Sequence, residues 1–275
     1  MNLREYIYNN LKKINIDKDN LTAETNFILK FKFGINNPYS DIDINNIDYD
    51  DLNNIFSERK TGKPLQYILN TSEFMGEKFF VNENVLIPRP ETELLVRKVI
   101  DIAKLIQNPK ILDIGTGSGC IPIIVKKHIS CSNIYSCDIS DDAIKVAEFN
   151  AKNINTNINF IKSDLFNNID TKFDIIVSNP PYIPPQEKNY IQKEVTFEPD
   201  TALYTNDDKG IEFYEKIIAD SHKFLNKNGY ICFEIGINQS ELVKKIFMDY
   251  NFTKIEIIKD LDNIDRVIFA RINNE

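Results

Sequence analysis

The sequence predicts an α/β fold, with a mostly parallel sheet covered by helices on both faces and a small helical domain ahead of it. Three observations predict it. From about residue 91 onward, short apolar strands alternate with amphipathic helices. One strand runs into a glycine-rich turn and then a helix, LDIGTGSG at 112–119. Another ends in a stiff proline turn, DIIVSNPPYIPP at 174–185. The chain has 275 residues, 42% of them hydrophobic, which is enough for a sizeable core and argues against wholesale disorder.

The elements follow in order. Leu3, Tyr6, Ile7 and Leu11 fall on one helical face. A second helix over Leu21–Phe33 starts at Thr22-Ala23-Glu24. NNPYSDIDINN, 36–46, reads as a loop from its Asn, Pro, Ser and Asp content, and a third helix covers Tyr49 to Glu58. SEFMGEKFFVNENVLI, 72–87, reads as a hairpin about Gly76 and Asn82-Glu83-Asn84. The expected division is a helical domain over 1–70, a β-hairpin linker over 71–90 and an α/β domain over 91–275.

Within the last, Glu91 to Ile106 is helical. Then come strand KILDIG, helix CIPIIVKKHI, strand NIYSCD, helix DDAIKVAEFNAKNI and strands INFIKSD and FDIIVSN. Helix GIEFYEKIIADSHKFL, strand GYICFEIG, helix QSELVKKIFMDY and two closing strands, TKIEIIKD and RVIFARI, complete the chain. Ligands of such sheets bind beyond the carboxyl ends of the strands. The ends of KILDIG, NIYSCD, INFIKSD and DIIVSN therefore share one crevice.

Composition excludes several classes. A net charge of −8 argues against a protein that grips nucleic acid mainly through phosphates. Cys120, Cys131, Cys137 and Cys232 form no C-x-x-C pair, and only His128 and His222 could join them. No metal site is expected, and the cysteines read as buried free thiols. No signal peptide, transit peptide or membrane-length apolar run is evident, so a cytoplasmic protein without membrane contact is expected.

The glycine turn and the next strand end point to a cofactor. Gly115, Gly117 and Gly119 let a ligand approach the backbone, and a carboxylate at Asp138 can accept both hydroxyls of a ribose. Dinucleotides prefer G-x-G-x-x-G, but here the sixth position is Cys120. Asp113 beside the turn would repel pyrophosphate. It would support the cationic amino-acid end of S-adenosylmethionine, directly or through water. S-adenosylmethionine is therefore the expected cofactor, with Asp164 and Leu165 near its adenine. A plain strand-to-helix turn is the structural alternative.

Asn179-Pro180-Pro181-Tyr182 fits methyl transfer to a planar amide or amino nitrogen. The lone pair of such a nitrogen is delocalised. The enzyme must accept hydrogen bonds from its N–H groups as it becomes tetrahedral and positive. The Asn179 side-chain oxygen and the Pro180 carbonyl can do so, held still by two prolines. Tyr182 can pack on the planar group and favour the growing cation. A proline turn at a strand end is the alternative, and the shared crevice favours chemistry.

These pieces resemble the HemK/PrmC family of peptide-chain release factor glutamine methyltransferases. The matching stretches are GKPLQYI (62–68), VLIPRPETELLV (85–96), LDIGTGSGC (112–120), VSNPPYIP (177–184), FEPDTAL (197–203) and FEIGINQ (233–239). Asn70 stands where the family usually has glycine, and asparagine also tolerates a left-handed turn. The resemblance implies a Rossmann-like class I methyltransferase domain, a helical N-terminal domain and a hairpin linker. It implies methyl transfer from S-adenosylmethionine to the glutamine amide of the Gly-Gly-Gln tripeptide of class 1 release factors, giving N5-methylglutamine. Carried over by motif, Gly115, Thr116, Gly117, Ser118, Gly119, Asp138, Leu165 and Asn179 contact the cofactor. Asn179, Pro180, Pro181 and Tyr182 hold the glutamine.

The residues alone specify only a planar nitrogen acceptor. A glutamine of a ribosomal protein and the adenine of DNA are the alternative acceptors, and an NAD-dependent oxidoreductase or a non-catalytic binder the alternative classes. His128 and His222 are expected at the surface, and Cys120 and Cys137 as packing. Arg89, Glu91 and Glu93 read either as caps and interdomain salt bridges or as a pocket wall. Glu198 reads as structural, with lining of the substrate cleft the alternative. The helical domain is expected to recognise the release factor beyond the tripeptide.

Overall fold

The computed structural model describes residues 2–14, 16–37 and 47–272. Two compact units emerge: Met1–Thr71 with Gln192–Phe197, and Ser72–Ile191 with Glu198–Glu275. Most of the loop expected over 36–46 lies outside the described residues.

The first unit holds α1 (Leu3–Lys13), α2 (Lys18–Phe33), α3 (Tyr49–Lys60) and the short α4 (Leu65–Ile68). Asn2 and Glu5 form a reciprocal capping box on α1, satisfying two backbone N–H groups. Helix α2 starts at Lys18, earlier than Thr22-Ala23-Glu24 suggested. Leu21, buried in its first turns, is part of the helical stripe. Leu3, Ile7 and Leu11 pack with Leu21, Ile28, Leu29, Leu52, Ile55 and Phe56, while Tyr6 is only half-buried. The Arg59 guanidinium is buried between Glu24 at 2.8 Å and Glu194 at 3.0 Å. That triad ties the 192–197 segment to this unit. Asn70 takes φ +48°, the left-handed conformation that asparagine tolerates.

The second unit opens with the antiparallel hairpin β1 (Ser72–Phe74) and β2 (Glu77–Phe79). Phe74 and Phe79 are buried in this unit's core. The hairpin is therefore part of the α/β unit and not a separate linker, because its two aromatic side chains bury there.

Helices and strands then alternate: α5 (Thr92–Ala103), β3 (Lys110–Ile114), α6 (Cys120–His128), β4 (Asn133–Asp138), α7 (Asp141–Asn153), β5 (Asn159–Lys162), β6 (Phe173–Ser178), α8 (Asp200–Leu203), α9 (Glu212–Phe224), β7 (Leu225–Glu234), α10 (Ser240–Asp249), β8 (Phe252–Lys259) and β9 (Asp265–Ile272). Strand β7 begins at Leu225, ahead of GYICFEIG, because Leu225 is fully buried and already extended where α9 ends. The sheet runs β5-β4-β3-β6-β7-β9-β8. Its first five strands are parallel, and β9 and β8 close it antiparallel.

Side chains alternate across the strands. Ile111, Ile134, Ile175, Val177 and Cys232 face one layer, built with α5 and α6. Leu112, Ile114, Cys137, Ile176, Ile231 and Phe233 face the other, built with α9 and α10. Each fully buried side chain of this size contributes roughly 1.5–3 kcal/mol relative to exposure. Two buried faces explain why the central strands read as near-continuous apolar runs.

Candidate active site

Strand register builds the site. Ile114 pairs with Cys137 on β4 and with Ser178 on β6, and Ser178 pairs with Phe233 on β7. One residue further along each strand stand Gly115, Asp138, Asn179 and Glu234. Four strand ends thus deliver these residues side by side. The chain leaves β3 outward to β4 and β5, then returns to β6 on the other side of β3. That reversal is the switch point where open α/β sheets bind ligands.

A cavity of about 570 Å³ lies there. Gly115, Thr116, Gly117, Ser118, Asp138, Leu165, Asn179, Pro180 and Pro181 line it, together with Arg89, Thr92, Lys188, Tyr204 and Phe213. Its volume suits a drug-sized or cofactor-sized ligand.

Gly119 and Tyr182, both expected at the site, are not on the cavity wall. A Cβ at Gly119 would lie 3.0 Å from Ile123 Cδ1 and 3.1 Å from Ala147 Cβ, so this glycine serves packing between α6 and α7. The ring of Tyr182 packs beside Gly236, where an added Cβ would stand 3.0 Å from Tyr182 Cδ2. Burial pushes its phenol pKa up. The ring is partly buried against the core layer, and Glu234, Arg89, Arg266 and Glu91 all act on its phenol.

At Gly115 and Gly117, with φ +78° and +51°, nothing lies within 4 Å of an added Cβ. The backbone there is open to a ligand. The Asp138 carboxylate accepts from Gly117 N at 3.0 Å and from Ser140 N at 2.9 Å. Each oxygen keeps a second lone pair for hydroxyl donors. Burial raises the Asp138 pKa against those backbone bonds. Leu165 adopts φ +48°, which costs a non-glycine residue about 1–2 kcal/mol. Its carbonyl accepts from Ser163 Oγ at 2.9 Å, which helps hold that turn.

Asp113 is fully buried and does not line the cavity. Its Oδ2 accepts from Ser136 Oγ at 2.7 Å, while Oδ1 has no hydrogen-bond partner. Burial pushes its carboxyl up to about 7. The carboxylate expected beside the cationic end of the cofactor stands behind the loop, not in the cavity wall. The Thr116 hydroxyl is buried on the wall, close enough to Asp113 to hold its pKa down somewhat against burial.

These features suit S-adenosylmethionine. Asp138 offers acceptors for paired hydroxyls, Thr116 places a hydroxyl on the wall, and the backbone at Gly115 and Gly117 is open to a ligand. A dinucleotide pyrophosphate would need loop N–H groups, but Gly117 N–H is already given to Asp138 and those of Gly115 and Thr116 to Cys137 O.

The proline turn is bolted on several sides. Ser178 Oγ donates to Ile114 O at 2.7 Å, joining the ends of β6 and β3. Ile183 N donates to Leu203 O at 2.9 Å, and Thr205 N to Ile183 O at 3.0 Å. Asn179 Nδ2 donates to Thr92 Oγ1 at 3.4 Å, and Thr92 Oγ1 donates to Glu234 Oε2 at 2.6 Å. Glu234 is buried, and burial pushes its carboxyl up to about 7.

Several of these residues had no role in the sequence reading. Thr92 sits inside PRPETE and Glu234 and Gln239 inside FEIGINQ, so the motifs flagged the stretches but not the bonds. Asn150 is a further case. Its Nδ2 donates to Phe80 O and Ser118 O, both at 2.9 Å, and its Oδ1 accepts from Phe80 N at 2.7 Å. It clamps the hairpin to the glycine loop.

The remaining candidates divide clearly. Arg89 lines the cavity and is paired with buried Glu198, which also accepts from Ile87 N at 3.3 Å. Glu93 accepts from Met75 N and Arg97, both within the second unit. His128 is exposed, but His222 is half-buried, its ring 5.2 Å from that of Phe252. Cys131 is exposed rather than buried, while Cys120, Cys137 and Cys232 are buried and unpaired. Among the described residues no group of His, Cys, Asp or Glu could hold a metal ion, and no helix is long and apolar enough to cross a membrane.

Comparison with known proteins agrees with this geometry. The methyltransferase small domain family model matches residues 90–207. The release factor glutamine methyltransferase of Buchnera aphidicola (Acyrthosiphon pisum) is 35% identical over 98% of this chain and 99% of its own length. That of Fusobacterium nucleatum is 45% identical over 77% of this chain, and the match spans 61% of that relative's length. In fold, the chain resembles a methyltransferase from Pyrococcus furiosus, with a TM-score of 0.55 and 17% identity over 73% of this chain and 91% of that one.

Proposed function

The chain belongs to the release factor glutamine methyltransferase family, and we propose that it methylates the glutamine amide of the Gly-Gly-Gln tripeptide in class 1 release factors. The product is N5-methylglutamine. The observation that carries this reading is the placement of Asn179-Pro180-Pro181 on the same cavity wall as Gly115, Gly117 and Asp138.

S-adenosylmethionine, when bound, supplies an electrophilic methyl group on a sulfonium. Asp138 would hold its ribose hydroxyls, Thr116 and the backbone carbonyls of the glycine loop would face its amino-acid end, and Leu165 would border its adenine. Asn179 Oδ1 and the Pro180 carbonyl accept hydrogen bonds from the glutamine NH₂. These acceptors become stronger partners as the nitrogen turns tetrahedral and positive, so they favour the transition state over the ground state. The prolines fix them before reaction. Alignment of acceptor and donor does most of the remaining work. The helical unit recognises the release factor beyond the tripeptide.

The test is methyl transfer from labelled S-adenosylmethionine to a purified class 1 release factor, beside a copy with the tripeptide glutamine replaced. Label on the first alone is the expected result. Label on both places the modified residue elsewhere. Label on neither, with the cofactor still bound, redirects the reaction to a ribosomal protein or to DNA.

A further inference from the structure

We propose that Thr92 and Glu234 are positioning residues that hold the Asn179 amide the right way round to accept from the substrate nitrogen. This rests on the reaction proposed above.

A carboxamide has an acceptor end and a donor end of nearly the same shape. Reversed, Asn179 would point its N–H groups at the N–H groups of the glutamine, and stabilisation would become repulsion. Something must break the near-symmetry. Thr92 Oγ1 takes the Nδ2 bond at 3.4 Å, which leaves Oδ1 at the other end of the amide. A hydroxyl alone cannot enforce that choice, since it both donates and accepts. Glu234 Oε2, 2.6 Å away, accepts the hydroxyl hydrogen when its carboxylate is ionised, which leaves only lone pairs toward Asn179. The polarity runs one way, from Asn179 through Thr92 to Glu234.

The placement is enforced by the fold. Thr92 is the first residue of α5, and Glu234 ends β7 beside β6. Both side chains are buried and so is the bond between them, while the Asn179–Thr92 bond is part-buried at the cavity wall. Neither residue lies within the glycine loop or the proline turn.

The experiment is a double-mutant cycle read by turnover on a release factor, with S-adenosylmethionine affinity and thermal stability measured alongside. Thr92→Val keeps the shape and deletes the hydroxyl. Turnover is expected to fall roughly 10-fold, about one hydrogen bond's worth, with cofactor affinity unchanged. Thr92→Ser restores it to within about 3-fold of wild type. In an Asn179→Asp background both ends of the side chain are acceptors, so Thr92→Val should cost nothing further. Equal losses in both backgrounds, or failure of Thr92→Ser to restore turnover when it folds, would overturn the proposal. Should Thr92→Val not fold, Glu234→Gln carries the test. An amide there donates to Thr92 as readily as it accepts, so several-fold loss is expected in the Asn179 enzyme and none beyond the parent in Asn179→Asp. Wild-type turnover is the control for the reaction itself: no label there sinks the reaction, whereas wild-type-like Thr92→Val sinks only the positioning role.

Discussion

The side-chain nitrogen of Gln239 donates to the backbone carbonyl of Tyr182 at 2.9 Å. The same nitrogen reaches the carbonyls of Lys209 and Gly210, both at 3.1 Å, and Oε1 accepts from Gly236 N at 2.9 Å. One buried amide therefore fixes the last residue of the proline turn against two other loops. Gln239→Leu keeps most of the volume but unpairs these backbone groups. Urea unfolding should show a loss of roughly 1–3 kcal/mol, and turnover should fall more than cofactor affinity. Wild-type stability in Gln239→Leu would show the bonds to be dispensable.

Asn179 supplies an acceptor that works mainly as charge develops. Asn179→Ala is expected to fold and bind S-adenosylmethionine, yet lose roughly 10²- to 10³-fold in turnover, as for deletion of one preorganised transition-state group. Steady-state kinetics beside calorimetric cofactor binding checks this. Unchanged turnover removes the residue from the mechanism.

Glu198 is buried and holds Arg89, which is itself one-third exposed on the cavity wall. Glu198→Ala leaves a half-buried guanidinium and the Ile87 N–H without their partner. Stability should drop by roughly 1–3 kcal/mol, discounted for the exposure of the arginine. Turnover measured well below the melting temperature should stay near wild type, because Glu198 does not line the cavity. A large loss of turnover with normal stability would instead make the Arg89 placement part of substrate binding.

Asp113 carries a pH dependence of definite sign. Its folded carboxyl is pushed up to about 7 from an ordinary value of 3.8, so the folded state binds its proton more tightly. Stability from this group is fully present below pH 4, falls as pH rises to 7, and is level above. The full shift corresponds to roughly 4 kcal/mol at most. Glu234 runs in the same direction from 4.5 to about 7. Asp113→Asn should therefore flatten, without abolishing, the decline in unfolding free energy between pH 5 and pH 8. It should also match or exceed wild type at pH 8. An unaltered slope would remove Asp113 as a source of the decline.

Gly210 has φ +69°, and an added Cβ would stand 2.1 Å from Tyr182 O. Neither the backbone nor the turn can yield cheaply. Gly210→Ala should lower the melting temperature by several degrees and reduce turnover together, as a thermal scan and an assay on one sample would show.

The order of strands and helices in the α/β unit was legible because both sheet faces are buried, so apolar runs and their punctuation survive in the sequence. The glycine turn, Asp138 and the proline turn were legible because each ends a strand, and strand ends converge. The contact of Tyr182 with Gly236 was not legible because a motif names a residue and not its rotamer. The packing of Gly119 on Ala147 of α7 was not legible because a motif does not name the element that packs on its loop. Thr92, Glu234 and Gln239 lie far apart in sequence from the turn they hold. Their pairing depends on strand register, which one sequence does not print. The 192–197 segment joins the first unit through Glu194 and Arg59, a contact without any local signal.

The position of β7 between β6 and β9 also bears on how the protein is made. While the ribosome is still translating between Ser178 and Glu234, β6 is an edge strand with its proline turn unsupported. At roughly 5–20 residues per second, that interval lasts on the order of several seconds. Throughout it, Val177 and Ile176 lack their partners Cys232 and Ile231. The nascent chain therefore presents an apolar strand edge, open to pairing with a neighbouring chain, until about the last sixth of its synthesis. Only after Gln239 has emerged can the turn be locked, so a truncated product should be prone to aggregation as well as inactive.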